Sequence, residues 1–227
     1  MPGRRRGVAT RLGPVASRRR QARQAAWRAL SRRRLLVVAP AAFVGLLAAC
    51  RGRSDGAAAL VISKAPVAGA RVPAVRWKSR TQVNEYLPLS RRDPTRFEGA
   101  AMAWHKGLDA AGVSLKDLSF VETHDCFTVA ELLEYEAMGL APHGQGARVI
   151  LDGVTRIDGA LPVNPSGGLK SRGHPIGATG VSQHVMAAMQ LTGEAGDMQL
   201  PNARLGAVFN MGGAAVANYL SVLERAA

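Results

Sequence analysis

Three short strings carry side chains able to act on a carbonyl. The first is His124-Asp125-Cys126-Phe127, set where an apolar run gives way to a helical pattern. A thiol at a helix N-terminus meets unpaired backbone N–H groups and the positive end of the helix dipole. Both favour thiolate and are expected to lower the pKa from about 8.5. The second string is Asn164-Pro165-Ser166-Gly167-Gly168, followed by Gly173-His174-Pro175-Ile176-Gly177-Ala178-Thr179-Gly180. Here His174 stands just before a helix, on a loop whose glycines let backbone and ligand approach closely. A helix N-terminus disfavours imidazolium, and neutral imidazole can accept a thiol proton or donate a hydrogen bond to a carbonyl oxygen. The third is Asn210-Met211-Gly212-Gly213, at the end of an expected strand, where bare backbone N–H groups could face an oxyanion. Singly, each has a plainer reading: Cys126 as a small core hydrophobe, His174 as a capping or core histidine, Gly212-Gly213 as a tight turn.

The elements that must position these residues alternate between strand and helix. Asp93-Pro94-Thr95 opens a helix expected over 95–111, with Phe97, Ala100, Ala101, Trp104 and Leu108 at helical spacing and Gly112 as the stop. A strand over 118–123 leads into His124. A helix over 127–138 puts Phe127, Ala130, Leu133, Ala137 and Met138 on its inner face. Residues 141–159 read as loop, with room for one short strand at 148–151. Pro175 is well placed to begin a helix to about residue 191, with Ala178, Val181, Val185, Ala188 and Met189 facing inward. Strands are expected at 204–209 and 215–223. Upstream, the apolar run 57–62 reads as a buried strand, 72–77 as another, and 88–94 as a polar loop.

Together the three strings resemble the thiolase superfamily. The likeness runs from Ser54-Asp55-Gly56-Ala57-Ala58-Ala59 to Glu224, the end of that family's first half and all of its second half. The Gly173–Gly180 string is similar to the family's histidine motif. His-Asp-Cys-Phe at 124–127 resembles the sterol-carrier-type variant, which replaces the commoner Asn-Glu-Ala-Phe. The resemblance implies that His174 activates a nucleophilic cysteine and polarises the thioester. It implies that Cys126 moves the proton to or from the α-carbon, and that His124 helps to hold the thioester oxygen. Asn210 stands where many thiolases carry an acid/base cysteine, and Gly212 lies in the same backbone turn. The resemblance likewise implies that Asn164, Gly167 and Gly168 belong to a loop facing the substrate. One part of the pattern is missing: neither Cys126 nor Cys50 matches the family's nucleophile, which belongs to the first half.

Charge is unevenly divided. Up to Arg53 the chain holds 14 arginines and no acidic residue; from residue 54 it holds 16 Lys and Arg against 16 Asp and Glu. A neutral body argues against a specific nucleic-acid binder, although the basic arm alone could bind polyanions weakly. The uncharged run 35–50 is short for a bilayer span, so no membrane span is expected. Ser31-Arg32-Arg33-Arg34-Leu35-Leu36 and Leu47-Ala48-Ala49-Cys50 look like export and lipoprotein signals, but such patterns arise readily in this composition. Two cysteines give neither a disulfide framework nor a metal cluster, and cytoplasm is the default.

The expected fold is therefore α/β, a thiolase-like layered sandwich with its C-terminal lobe complete and its N-terminal lobe mostly missing. Residues 1–53 read as an extension outside the fold, disordered or an isolated helix. Residues 54–92 read as the end of the first lobe and a connector, and 93–227 as the C-terminal domain. The activity implied is acyl transfer making or cleaving 3-ketoacyl-CoA. Coenzyme A enters as the thioester substrate, with no cofactor or metal, and the chain by itself is expected to be inactive. The alternatives are a CoA-thioester retro-aldolase relative working with an OB-fold and zinc-ribbon partner, and a non-catalytic fragment or accessory subunit. Further partners implied are a second thiolase-like copy or a separate first-half chain. Lys170 and Arg172 border the glycine loop, either as solvated charges or as partners of CoA phosphates.

Overall fold

The computed structural model describes residues 56–64 and 74–226. The arginine-rich extension, its expected helix and Cys50 lie outside these residues. Four strands form one sheet in the order β1-β4-β3-β2: β1 (Val75–Asn84), β2 (Phe120–Glu122), β3 (Leu205–Gly212) and β4 (Ala217–Arg225). β3 and β4 are an antiparallel hairpin, β1 adds antiparallel to β4, and β2 runs parallel to β3. A parallel pair cannot be joined by a tight turn. The long connection from β2 to β3 contains the whole segment that carries His174.

Helix α1 (Glu98–Ala111) and helix α2 (Thr128–Ala137) cover one face, and α5 (Thr179–Thr192) the other; α3 (Gly146–Leu151) and α4 (Gly168–Arg172) are short. The two-residue period of β3 separates the layers. Ala207, Phe209 and Met211 pack with Ala100, Ala103, Trp104, Ala130 and Tyr135, whereas Val208 packs with Ala187 and Leu191 of α5. The register of β1 shifts between Trp77 and Ser79. That bulge puts two residues of equal parity on opposite faces. Trp77 joins the α5 side, whereas the Ser79 hydroxyl donates to Gly107 O at 2.6 Å and the Thr81 hydroxyl to Ala103 O at 3.2 Å, both on α1. β1 lies within the 54–92 stretch, so the sheet begins before Asp93.

Several expected elements differ. Residues 57–62 form no strand; Val61 and Ile62 are 41% and 55% exposed. A strand exists by pairing, and this run pairs with none of the four strands. Residues 148–151 belong to helix α3; a short apolar run fits either state by periodicity. Helix α1 begins at Glu98, because Phe97 is left-handed (φ 45°) and Asp93 instead folds a local turn, its Oδ1 accepting from Thr95 N at 2.8 Å. Phe127 is extended before α2 and 70% exposed, so it is not on the inner face.

The inner face of α5 is also displaced. Thr179, Gln183, Met186, Ala187, Gln190 and Leu191 are buried, and Ala178, Val181, Val185, Ala188 and Met189 only half-buried. Two glutamines point inward with their amides satisfied. Gln183 Nε2 donates to Phe209 O at 3.3 Å, and Gln190 Oε1 accepts from Leu200 N at 2.9 Å. Their polarity hid the buried stripe from a count of apolar positions. Among the described residues, no helix is long and apolar enough to cross a membrane.

Candidate active site

β2 ends at Glu122, and the chain then turns through Thr123, His124, Asp125 and Cys126 before α2. The stretch opening the glycine loop runs beside it. Val163 bridges Val121 in parallel, Asn164 N donates to Val121 O at 2.7 Å, and Asn164 Oδ1 accepts from Thr123 N at 2.7 Å. Asn164 is left-handed (φ 51°), which turns the chain into Gly167 and Gly168, also left-handed at 87° and 66°. A Cβ on Gly168 would collide with the Asp125 carboxylate. That closeness is used: Asp125 accepts from Leu169 N at 2.7 Å and Lys170 N at 3.4 Å, seating α4. The buried Glu122 carboxylate accepts from the Ser166 hydroxyl at 2.6 Å, Ser166 N at 3.2 Å and Arg172 Nη2 at 3.3 Å. Burial pushes Glu122 up to about 7, against the pull of Ser166 and Arg172.

These ties bring two histidines together that are distant in sequence. The rings of His124 and His174 meet edge to face, with centroids 4.8 Å apart and planes at 87°. His124 is 6% exposed, and its Nδ1 is buried without a partner. Burial, and then the charge of His174, lower its pKa to about 4; a side-chain hydrogen bond with Asn210 works the other way. His124 is therefore neutral at physiological pH.

The tautomer of His174 follows from its network. Thr179 Oγ1 lies 2.7 Å from His174 Nδ1 and donates its own proton to Pro175 O at 3.0 Å. It therefore accepts from Nδ1–H, which leaves Nε2 as the basic nitrogen. Asn210 is fixed from the other side, its Nδ2 donating to Gln183 Oε1 at 2.9 Å. Gly180 permits this: a Cβ there would stand 2.9 Å from Asn210 Nδ2.

Cys126 departs from expectation. Its pKa is raised, first by burial and then by Glu134, with backbone N–H bonds of Phe127 and Cys126 opposing. The expected lowering fails because Phe127 is the residue that caps α2, leaving the thiol one step short of the helix, and because Glu134 and Asp125 act on it. Glu134 is fully buried, accepts from the Thr123 hydroxyl, and is held far above the usual carboxylate range by burial. The ring contact joins His174 to His124, and the charges acting on the Cys126 thiol come from Glu134 and Asp125.

Gly212 ends β3, and Gly213, Ala214 and Ala215 are all left-handed (φ 62°, 53° and 64°). Arg92 binds the carbonyls of this turn, with Nη1 2.7 Å from Ala214 O and Nη2 3.3 Å from Gly213 O. Lys170 pairs with Glu131, and Arg172 with Glu122, so both basic residues of the loop are engaged by carboxylates. Sequence reasoning missed Glu122, Ser166, Thr179 and Gln183. One signal was available for Glu122: it is a lone charge inside an otherwise buried strand run adjoining His124.

Residues 81–225 match the family described as thiolase C-terminal domain-like. The chain belongs to the thiolase superfamily. It is 42% identical over 166 residues to an acetyl-CoA acetyltransferase of Methanothermobacter thermautotrophicus, covering 72% of this chain and 43% of that protein. It is 38% identical over 177 residues to sterol carrier protein 2 of Homo sapiens, covering 75% and 32%. Over 145 residues it is 35% identical to benzoylsuccinyl-CoA thiolase subunit BbsB of Thauera aromatica, covering 63% and 37%. Among these curated relatives the thiolase-family chain spans between 32% and 43% of their length. Among solved structures it is similar in fold to an Ltp2-ChsH2(DUF35) aldolase, with a TM-score of 0.61 and 20% identity, covering 68% of this chain and 40% of that one.

Proposed function

We propose that this chain contributes the histidine and acid/base side of a thiolase-type site that makes or cleaves 3-ketoacyl-CoA. The observation that carries the reading is the edge-to-face His124–His174 pair, with Nδ1 of His174 engaged by Thr179 and Nδ1 of His124 buried and unpartnered. In this reading His174 Nε2 takes the proton of the nucleophilic thiol, and the neutral His124 ring helps hold the thioester oxygen. Cys126 moves the proton to or from the α-carbon. A raised thiol pKa suits that task, since a general acid must hold its proton at the working pH. Asn210 positions His124, and the Gly212 turn offers backbone N–H groups to developing charge.

In this reading neither cysteine of these 227 residues is the nucleophile, because Cys126 cannot be acylated and serve as base in the same turnover and Cys50 does not match the family's nucleophile. A thiolase first half would provide it. The rival reading is a retro-aldolase relative acting with an OB-fold partner, supported by the fold likeness to the Ltp2-ChsH2(DUF35) aldolase. The presence of Cys126 favours the thiolase.

The deciding experiment is a thiolysis assay following loss of the 3-ketoacyl-CoA enolate, run on the 227-residue chain with and without a separately expressed thiolase first half. Loss of a nucleophile lowers rates by roughly 10⁴ to 10⁶. The chain alone should therefore be silent, and the mixture should turn over in a manner lost with His174→Ala. Turnover by the chain alone that is sensitive to His174→Ala would refute the need for a second half. Silence in both would refute the catalytic reading.

A further inference from the structure

Glu122 takes no part in the chemistry above, yet it is wholly buried and holds three donors. A carboxylate removed from water is costly unless its acceptors are filled. The groups that fill them sit at two informative places. Ser166 opens the glycine loop, and Arg172 closes α4, so Glu122 grips both ends of the segment that delivers His174. One residue separates Arg172 from His174, and one separates Glu122 from His124. One carboxyl group thus joins the stem of each ring: β2 on one side, and the loop with α4 on the other.

We propose that Glu122 is a positioning residue for the imidazole pair, setting the approach of His174 to His124 through Ser166 and Arg172. Asp125 cannot replace it. Asp125 holds the backbone at the start of α4, through Leu169 and Lys170, and leaves the Arg172 end untied. Beyond Arg172 the chain passes through Gly173, whose φ of 87° gives that joint a conformation other residues resist. The placement of His174 therefore depends on where Arg172 is held. The consequence for turnover rests on the proposed thiolase chemistry; the positional claim does not.

The test reads the ring contact itself by two-dimensional NMR on the full 227-residue chain. The cross-relaxation peak between the ring protons of His124 and His174 is assigned with His124→Ala and His174→Ala. In Glu122→Ala the peak should fall to the noise while circular dichroism and a cooperative melt show a folded chain. Glu122→Gln, which keeps an oxygen for the Ser166 hydroxyl, should retain much of it. A folded Glu122→Ala chain with an undiminished peak overturns the proposal. If Glu122→Ala does not fold, Ser166→Ala and Arg172→Gln each remove one donor, and each should weaken the peak; an undiminished peak in both overturns it equally. Because the readout needs no turnover, an intact peak with a silent thiolysis assay would count against the catalytic reading alone.

Discussion

Replacing Glu122 by glutamine should change how stability depends on pH, with a direction fixed by burial. In the folded chain burial pushes this carboxyl up to about 7, against an ordinary value of 4.5. Below pH 4.5 it is protonated in both states and stability is unaffected by its charge. As pH rises toward 7 the unfolded chain releases the proton while the folded chain keeps it, so stability falls until pH passes the folded value. The difference corresponds to roughly 3 kcal/mol, taking about 1.4 kcal/mol per unit. Glutamine cannot titrate, so the variant should lack this share of the loss. In the wild-type chain Arg172 gains its anion only as Glu122 ionises near 7, so the pull of Arg172 is already contained in that folded value. Urea denaturation at intervals from pH 4.5 to 8, followed by tryptophan fluorescence, gives the two curves. Their difference should drift by about 3 kcal/mol in favour of the variant as pH rises. Glu134, whose carboxyl is also raised, contributes to both chains and drops out of the difference, whereas Asp125, which acts on Glu122, is part of the shift being measured. Parallel curves would show that Glu122 titrates as an ordinary carboxyl and would refute the reasoning.

The His124 ring should remain neutral from pH 8 to pH 5 and titrate near 4, visible as constant ring signals over that range; His174→Ala should raise the value by removing a neighbouring positive charge. Because its depressed value lies below 6.5, His124 adds stability above pH 6.5 that is lost as pH falls toward 4. Gly180→Ala places a Cβ 2.9 Å from Asn210 Nδ2 and should destabilise the chain by about 1–3 kcal/mol in thermal or urea melts, with a change in the His124 signals. Cys126 should react with iodoacetamide more slowly at pH 8 than a free cysteine, as read by site-resolved mass spectrometry; rapid labelling would mean that its thiol is not held up by burial and Glu134.

The residue strings decided a good deal by themselves. Local chemistry placed a strand leading into His124 and a glycine turn between two adjacent strands, because breakers and two-residue periods are written in a few neighbouring positions, whereas the helix expected from Pro175 begins only at Thr179, five positions beyond His174. The alternation of strand and helix also marked the chain as α/β. Position 57–62 shows the limit of such signals, since an apolar run becomes a strand only if another strand is there to pair with it. Helix α5 shows a second limit: Gln183 and Gln190 lie inward because partners from distant segments satisfy their amides, a fact absent from their own sequence neighbourhood. Cys126 shows a third, where dipole reasoning favoured the thiolate, and burial of the thiol, followed by Glu134 eight positions on, outweighed it. The meeting of His124 with His174 belongs wholly to the tertiary structure. It depends on Glu122 and Asp125 gripping a loop more than forty residues away, and contacts at that separation are set by the packed sheet rather than by anything local to either histidine.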